Sequence, residues 1–184
     1  MEQKLDLRVI KTQNNIKNTF IQLLHQKDFQ HITVQSILDK SLINRSTFYK
    51  YYTDKYDLAE SIIQDILKEF SFFLDERFSG KEKDDLLPII KNVYDKSYEE
   101  KDILSALWTI NTDSIHLYDD MQQLLMDKYK FYLAKPAPAN KDLFNYKACI
   151  YASLVMTTLK YIFDNNDPNM SKKIIENFNF SALW

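Results

Sequence analysis

Between Thr33 and Tyr52 the chain concentrates hydrogen-bond donors that a hydrophobic core has no use for. Arg45, Thr47, Tyr49 and Lys50 fall within one short segment, and on a helix they project away from Phe48 and Tyr52, which sit four apart and pin the other face inward. A guanidinium, a hydroxyl, a phenol and an ammonium on one weakly anchored helix suit a partner dense in acceptors. Double-stranded DNA, which offers base edges and phosphates to a helix, is the economical partner of that kind.

The flanking elements are those needed to hold such a face still. Thr33 is a good N-cap for a helix whose inward positions Val34, Ile37, Leu38 and Ser41 recur at helical spacing. After the break Leu42-Ile43-Asn44, Asn44 serves as a second N-cap for a helix from Arg45 to Tyr51. Upstream, a helix from about Leu7 to Gln26 turns Val9, Ile16, Phe20, Leu23 and Leu24 inward. Downstream, Asp54 caps a long helix reaching about Phe78, with Asp57 in its first turn where a carboxylate suits the helix dipole.

Thr33 to Tyr52, followed by Thr53-Asp54-Lys55-Tyr56-Asp57-Leu58, resembles the helix-turn-helix of the TetR (tetracycline-repressor) family of bacterial transcriptional regulators. Ile37, Ser41, Ile43, Asn44, Thr47, Phe48, Tyr49, Tyr52, Lys55 and Leu58 fill the places of that pattern without a gap, and the resemblance covers roughly Leu7 to Ile66. It implies that Arg45, Ser46 and Thr47 face base edges, with Arg45 able to bond a guanine twice. Tyr49, Lys50 and Tyr51 would hold phosphates and thymine methyls. Thr33 and the helix N-terminus it caps would take another phosphate, and Lys55 occupies a phosphate-contacting place. Gln35 reads equally well as a contact and as a solvated helix residue. One departure is Leu42, which stands where the family carries Gly, at a turn position open to positive φ. A bulky residue there costs energy, which leaves open a rearranged turn.

The rest of the chain reads as all-α. One Gly and four Pro in 184 residues punctuate too little for a sheet protein, and 45% apolar content with 14% aromatics fills a sizeable core. Helices are expected at about Asp85–Glu99 with Pro88 in the first turn, Asp102–Thr109, Ser114–Leu133, Lys141–Phe163 and Ser171–Phe180, about nine in all. Ser79 to Lys83 reads as a linker and Lys135 to Asn140 as a loop. The expected organisation is a helix-turn-helix DNA-binding domain at 1–56, joined by the long helix to a helical ligand-binding and dimerisation domain at 57–184. Charge follows that division: the first 56 residues hold nine Lys/Arg against five Asp/Glu, a net +4, while the remainder carries −6.

No run of about 18 apolar residues exists to span a membrane, and charges from residue 2 onward leave no signal-peptide core, so the cytoplasm is the expected location. The single Cys149, set among Ala148, Ile150 and Tyr151, reads as a small buried hydrophobe. Three scattered His, one Cys and no Gly-rich phosphate loop offer neither a nucleophile–base pair nor a metal cluster, so neither enzyme, metal nor cofactor is expected. The neighbouring pairs Asp119-Asp120 and Glu99-Glu100 point to different faces of their helices.

By resemblance the chain is then a homodimeric transcriptional regulator on a DNA operator, acting as a repressor that a small-molecule effector releases. The aromatic positions Trp108, Tyr94, Tyr118 and Tyr151 are the candidate ligand contacts, with plain core as the competing reading. His116 reads as a helix-surface residue or a ligand contact. Dimerisation is expected through Lys141–Phe163, too apolar around its circumference to have one solvated face, and through the last helix. The alternative is the same fold controlled by a protein partner or by no ligand, which a filled body without a cavity would favour.

Overall fold

The computed structural model describes residues 7–79, 86–134, 140–167 and 169–177. Among these there are nine α-helices, one short 3-10 turn and no strand. The chain runs α1 (Leu7–Leu24), the 3-10 turn (Phe29–His31), α2 (Val34–Ser41), α3 (Arg45–Tyr49), α4 (Lys55–Phe78), α5 (Leu86–Glu99), α6 (Lys101–Leu107), α7 (Leu117–Leu133), α8 (Lys141–Asn165) and α9 (Met170–Asn177). The expected linker beyond Ser79, the loop 135–139 and the end of the last expected helix, through Phe180, lie outside the described residues.

Two compact units form: Met1–Asp65 with Ser105–His116, and Ile66–Leu104 with Leu117–Trp184. The boundary between them falls inside the continuous helix α4. In the first unit, Ile16 and Phe20 of α1, Ile37 of α2, Phe48 of α3 and Leu58 of α4 are wholly buried and build one small core. Their spacing within each helix is what places them on one face. Two side-chain links reinforce it: Asn15 Nδ2 donates to the Ser41 carbonyl at 2.8 Å, and Lys17 pairs with Asp65 at 2.6 Å.

The segment 105–116 contributes Ala106, Leu107, Ile110 and Ile115 to the buried set of that unit. Here α7 begins at Leu117, three residues after the expected Ser114, because Thr112 Oγ1 accepts from the Ser114 and Ile115 amides and holds a turn instead.

In the second unit α5, α7, α8 and α9 pack around Ile89, Ile90, Val93, Leu125, Ala152, Val155, Met156 and Leu159, all fully or nearly fully buried. Asn140 caps α8, its side chain accepting from the Leu143 amide at 2.9 Å, and α8 ends at Asn166 in the left-handed conformation (φ 50°), a residue type that tolerates it. No described helix is long and apolar enough to cross a membrane. Cys149 lies exposed on α8, contrary to the burial expected from its apolar neighbours. Those neighbours, Ala148 and Tyr151, turn inward while position 149 faces away, a helical-phase distinction that composition alone does not make.

Candidate nucleic-acid interface

Helix α2 starts from a reciprocal capping arrangement. Thr33 Oγ1 accepts from the Ser36 amide at 3.1 Å, and the Ser36 hydroxyl accepts from the Thr33 amide at 3.1 Å. Sequence reading named Thr33 but passed over Ser36, although the Thr-x-x-Ser spacing is that of a capping box with a shorter second side chain. Thr33 and Gln35 are exposed, and the Gln35 amide is held by Asp39 Oδ1 at 2.7 Å.

The turn after α2 resolves the question posed by Leu42. It adopts φ 56° and ψ 39°, the left-handed conformation usually given to glycine, while its side chain remains 91% exposed. The amides of Leu42 and Ile43 both donate to the Leu38 carbonyl, so the turn keeps its closure and the leucine carries the strain.

Asn44 follows at the N-cap position in an extended conformation, but its side chain makes no cap hydrogen bond; its carbonyl instead accepts from the Thr47 and Phe48 amides. Helix α3 covers Arg45–Tyr49, two residues shorter than expected, and Lys50 and Tyr51 continue as a final turn through the Lys50 amide on the Ser46 carbonyl and the Tyr51 amide on that of Phe48. Phe48 is buried completely, and its ring lies 5.7 Å from that of Tyr52, itself 4% exposed, so these two anchor the element as their spacing requires. Arg45, Ser46, Tyr49 and Lys50 are exposed, Thr47 and Tyr51 half-buried. Arg45 lies 5.9 Å from the Tyr49 ring and Lys50 5.6 Å from that of Tyr51, so each cation is steadied by an aromatic on the same surface. Eight of the nine expected contacts thus share the α2 N-terminus, α3 and the turn that follows it.

Lys55 is engaged differently. Its ammonium donates to the carbonyls of Phe29, Gln30 and Ile32 at 2.8, 3.2 and 2.9 Å, and lies 4.5 Å from the Phe29 ring centroid. The cap of α4 is Asp54, whose carboxylate accepts from the Tyr56 and Asp57 amides at 2.7 and 2.9 Å, while Asp57 accepts from the amide and hydroxyl of Thr53.

No family profile matches the chain. Superposed on solved structures, it matches the crystal structure of a protein from Syntrophomonas wolfei assigned to the TetR-family transcriptional regulators, with a TM-score of 0.69 over 95% of this chain and 96% of that one, at 15% sequence identity. The chain has the TetR-family fold. A stretch of 64 residues is also 34% identical to an uncharacterised HTH-type transcriptional regulator of Bacillus subtilis, YxbF; the match takes in 35% of this chain and 17% of the length of that protein.

The expected ligand contacts fall in different surroundings of this TetR-type fold. Tyr94 and Tyr151 are wholly buried in the packing, Tyr118 is half-buried on α7, and Trp108 belongs to the first unit. Burial pushes the Tyr94 phenol up and pushes that of Tyr151 up as well. His116 is exposed just ahead of α7.

The space bounded by Ile66, Glu69, Phe70, Phe73, Lys96, Ser97, Glu100, Leu104 and Met121 holds about 20 Å³, room for one water. A larger hollow of about 550 Å³, open to solvent, is lined by Asp75 of α4 and Asp127, Lys128, Phe131 and Tyr132 of α7. There Asp75 takes Lys128 Nζ on both oxygens at 2.6 Å and the Tyr132 hydroxyl at 2.9 Å. Burial alone would raise the Asp75 pKa, but these two donors reverse it and hold the carboxyl below its ordinary value. The partners of Asp75 lie 53 and 57 positions away, beyond the reach of local patterning.

Proposed function

We propose that this chain is a sequence-specific DNA-binding transcriptional regulator. The observation that carries the reading is α3: a five-residue helix anchored by the single buried Phe48 and exposing Arg45, Ser46 and Tyr49 beside a capped α2 N-terminus. Arg45, Ser46 and Thr47 would read base edges; Tyr49, Lys50 and Tyr51 would hold phosphates and thymine methyls; and Thr33 with the α2 amides would bind another phosphate. The printed names of the matched proteins, both regulators of transcription, support the same reading.

A homodimer would set two such helices in successive major grooves of a near-palindromic site. Support comes from α8, where Leu143, Tyr146, Ile150, Leu154, Thr157 and Tyr161 recur at three- and four-residue spacing on the side away from the buried set. Leu143, Tyr146 and Tyr161 are 51%, 63% and 53% exposed. An apolar stripe of that length on a long helix suits a second copy of itself better than water.

Repression relieved by a small molecule is the mechanism we favour. The effector would bind the DNA-incompetent state better, and its effect is bounded by that difference in affinity. A second reading is control by a protein partner or by none: the space beside Ile66 and Phe70 holds only one water, and the hollow of about 550 Å³ beside Asp75 lies open to solvent, where a ligand site is ordinarily an enclosed cleft of about 300 Å³ or more.

The decisive experiment is binding of the purified protein to the DNA flanking its own gene, followed by fluorescence anisotropy over a salt series. Nanomolar, strongly salt-dependent binding that unrelated duplex does not match is the expected result. Equal affinity for unrelated duplex would end the sequence-specific reading. A thermal-shift screen of aromatic cations, neutral aromatics and anions, with hits retested for operator release, separates ligand control from the partner reading.

A further inference from the structure

Lys55 is the first residue of α4, an end where the helix dipole disfavours a cation, yet its ammonium is folded back into the protein. Its three N–H donors meet three carbonyls, those of Phe29, Gln30 and Ile32, so its donor capacity is filled. The charge also sits over the ring of Phe29 and lies 5.4 Å from that of Tyr56. Phe29 is a fixed base for this grip: it is 4% exposed and meets Phe20 and Tyr56 edge-on at 6.1 and 5.1 Å. Burial draws the Lys55 pKa down, with the neighbouring Asp54 charge acting the other way.

The gripped carbonyls end the 3-10 turn and stand directly before Thr33, the cap of α2. Ile32, 1% exposed, would have its part-buried carbonyl stripped of this donor if the ammonium swung out to a phosphate.

We propose that Lys55 is a positioning residue: it clamps the backbone ahead of α2 to the first turn of α4, and so aims Thr33 and the α2 N-terminus, instead of touching a phosphate itself. The consequence for DNA rests on the function proposed above; the clamp belongs to the free protein. Arginine preserves the charge but presents a planar fork that does not match three carbonyls gathered around one nitrogen, whereas it serves a phosphate as well as lysine or better.

Three measurements test this. In the DNA-free wild type, the Lys55 ammonium should give a slowly exchanging nitrogen resonance in NMR, unlike that of exposed Lys50; exchange as fast as that of Lys50 would overturn the clamp. In Lys55→Met, folded by circular dichroism, hydrogen exchange at the Ser36 and Ile37 amides should accelerate about tenfold while the middle of α4 is unchanged. Unaltered exchange at those amides would also overturn it.

On a duplex that the wild type selects from a randomised pool, Lys55→Met and Lys55→Arg should both bind about tenfold more weakly, with the wild-type slope of log K against log salt. A slope shallower by about 0.9 in Lys55→Met, with full affinity in Lys55→Arg, would make Lys55 a phosphate ligand and end the proposal. If the wild type selects no duplex, the DNA reading fails, and the two DNA-free measurements still decide the clamp.

Discussion

Helix α3 buries one side chain, Phe48, and offers Arg45, Ser46 and Tyr49 to solvent; helix α8 buries eight, from Ala148 to Phe163, and offers Leu143, Tyr146 and Tyr161. Both leave a face uncovered, but with opposite chemistry. The α3 face carries donors and charge that water satisfies and that an acceptor-rich partner satisfies with specificity. The α8 face is apolar, and its burial against another surface releases about 25 cal/mol for each Å² removed from water. The difference teaches that exposure alone does not name a partner. A short helix needs only one anchor when its neighbours fix it at both ends, as the capped α2 and the Asp54 cap do here, and the remainder is free for recognition.

The largest expected effect tests the apolar side of that contrast. Leu154→Glu places a charge in the middle of the α8 stripe, and an uncompensated charge in a covered seam costs on the order of 3 kcal/mol or more. Sedimentation equilibrium should show a folded monomer where the wild type is a dimer at micromolar concentration. A wild type that is itself a well-folded monomer removes the proposed seam.

On the polar side, Arg45→Ala should weaken specific binding by about 1–3 kcal/mol and relax preference at one base position, with no change in oligomeric state. Binding assays against single-base variants of the selected duplex read this out. Uniform weakening across all of them would reassign Arg45 from a base to a phosphate.

The turn that joins α2 to α3 gives a smaller effect of opposite sign. Leu42→Gly removes the left-handed penalty from a side chain 91% exposed, and should stabilise the protein by about 0.5–1 kcal/mol after the extra flexibility of glycine is set against it. Urea denaturation measures the shift. A loss of stability would mean that Leu42 makes contacts worth more than its strain.

The smallest effect lies in the second unit, at the tie between α4 and α7. Asp75→Asn should cost less than about 1 kcal/mol at neutral pH, since the carboxylate is 42% exposed and the pair is screened. The folded pKa of Asp75 is lowered from 3.8, so its contribution is present above that value and fades as pH falls through the lower folded value. Denaturation curves of wild type and variant should therefore converge in acid. A gap that persists once the carboxyl is protonated in acid would point to packing in place of charge.

The local elements were legible because their causes are local. Thr33 and Asp54 act on amides two or three residues ahead, and Ile16, Phe20, Ile37 and Phe48 were recognisable as inward from helical spacing. Helix ends were less so: α3 stops at Tyr49 and α7 waits until Leu117, because side-chain and turn hydrogen bonds compete with propensity at those ends. Aromatics at helical spacing look alike whether they line a cavity or fill a core, and Tyr94 and Tyr151 fill one.

By itself the sequence determined the all-helical order, the caps at Thr33 and Asp54, the donor-rich face of Arg45 to Lys50 and the presence of a residue other than glycine at the turn, since each depends on neighbours a few positions apart. Only the tertiary structure decided that Leu42 accepts the left-handed conformation, that Cys149 faces outward and that Lys55 turns inward. The carbonyls that hold Lys55 lie 23 to 26 residues earlier in the chain, and no local pattern announces a partner at that separation: it becomes a neighbour only once α1, the 3-10 turn and α4 have packed around Phe29.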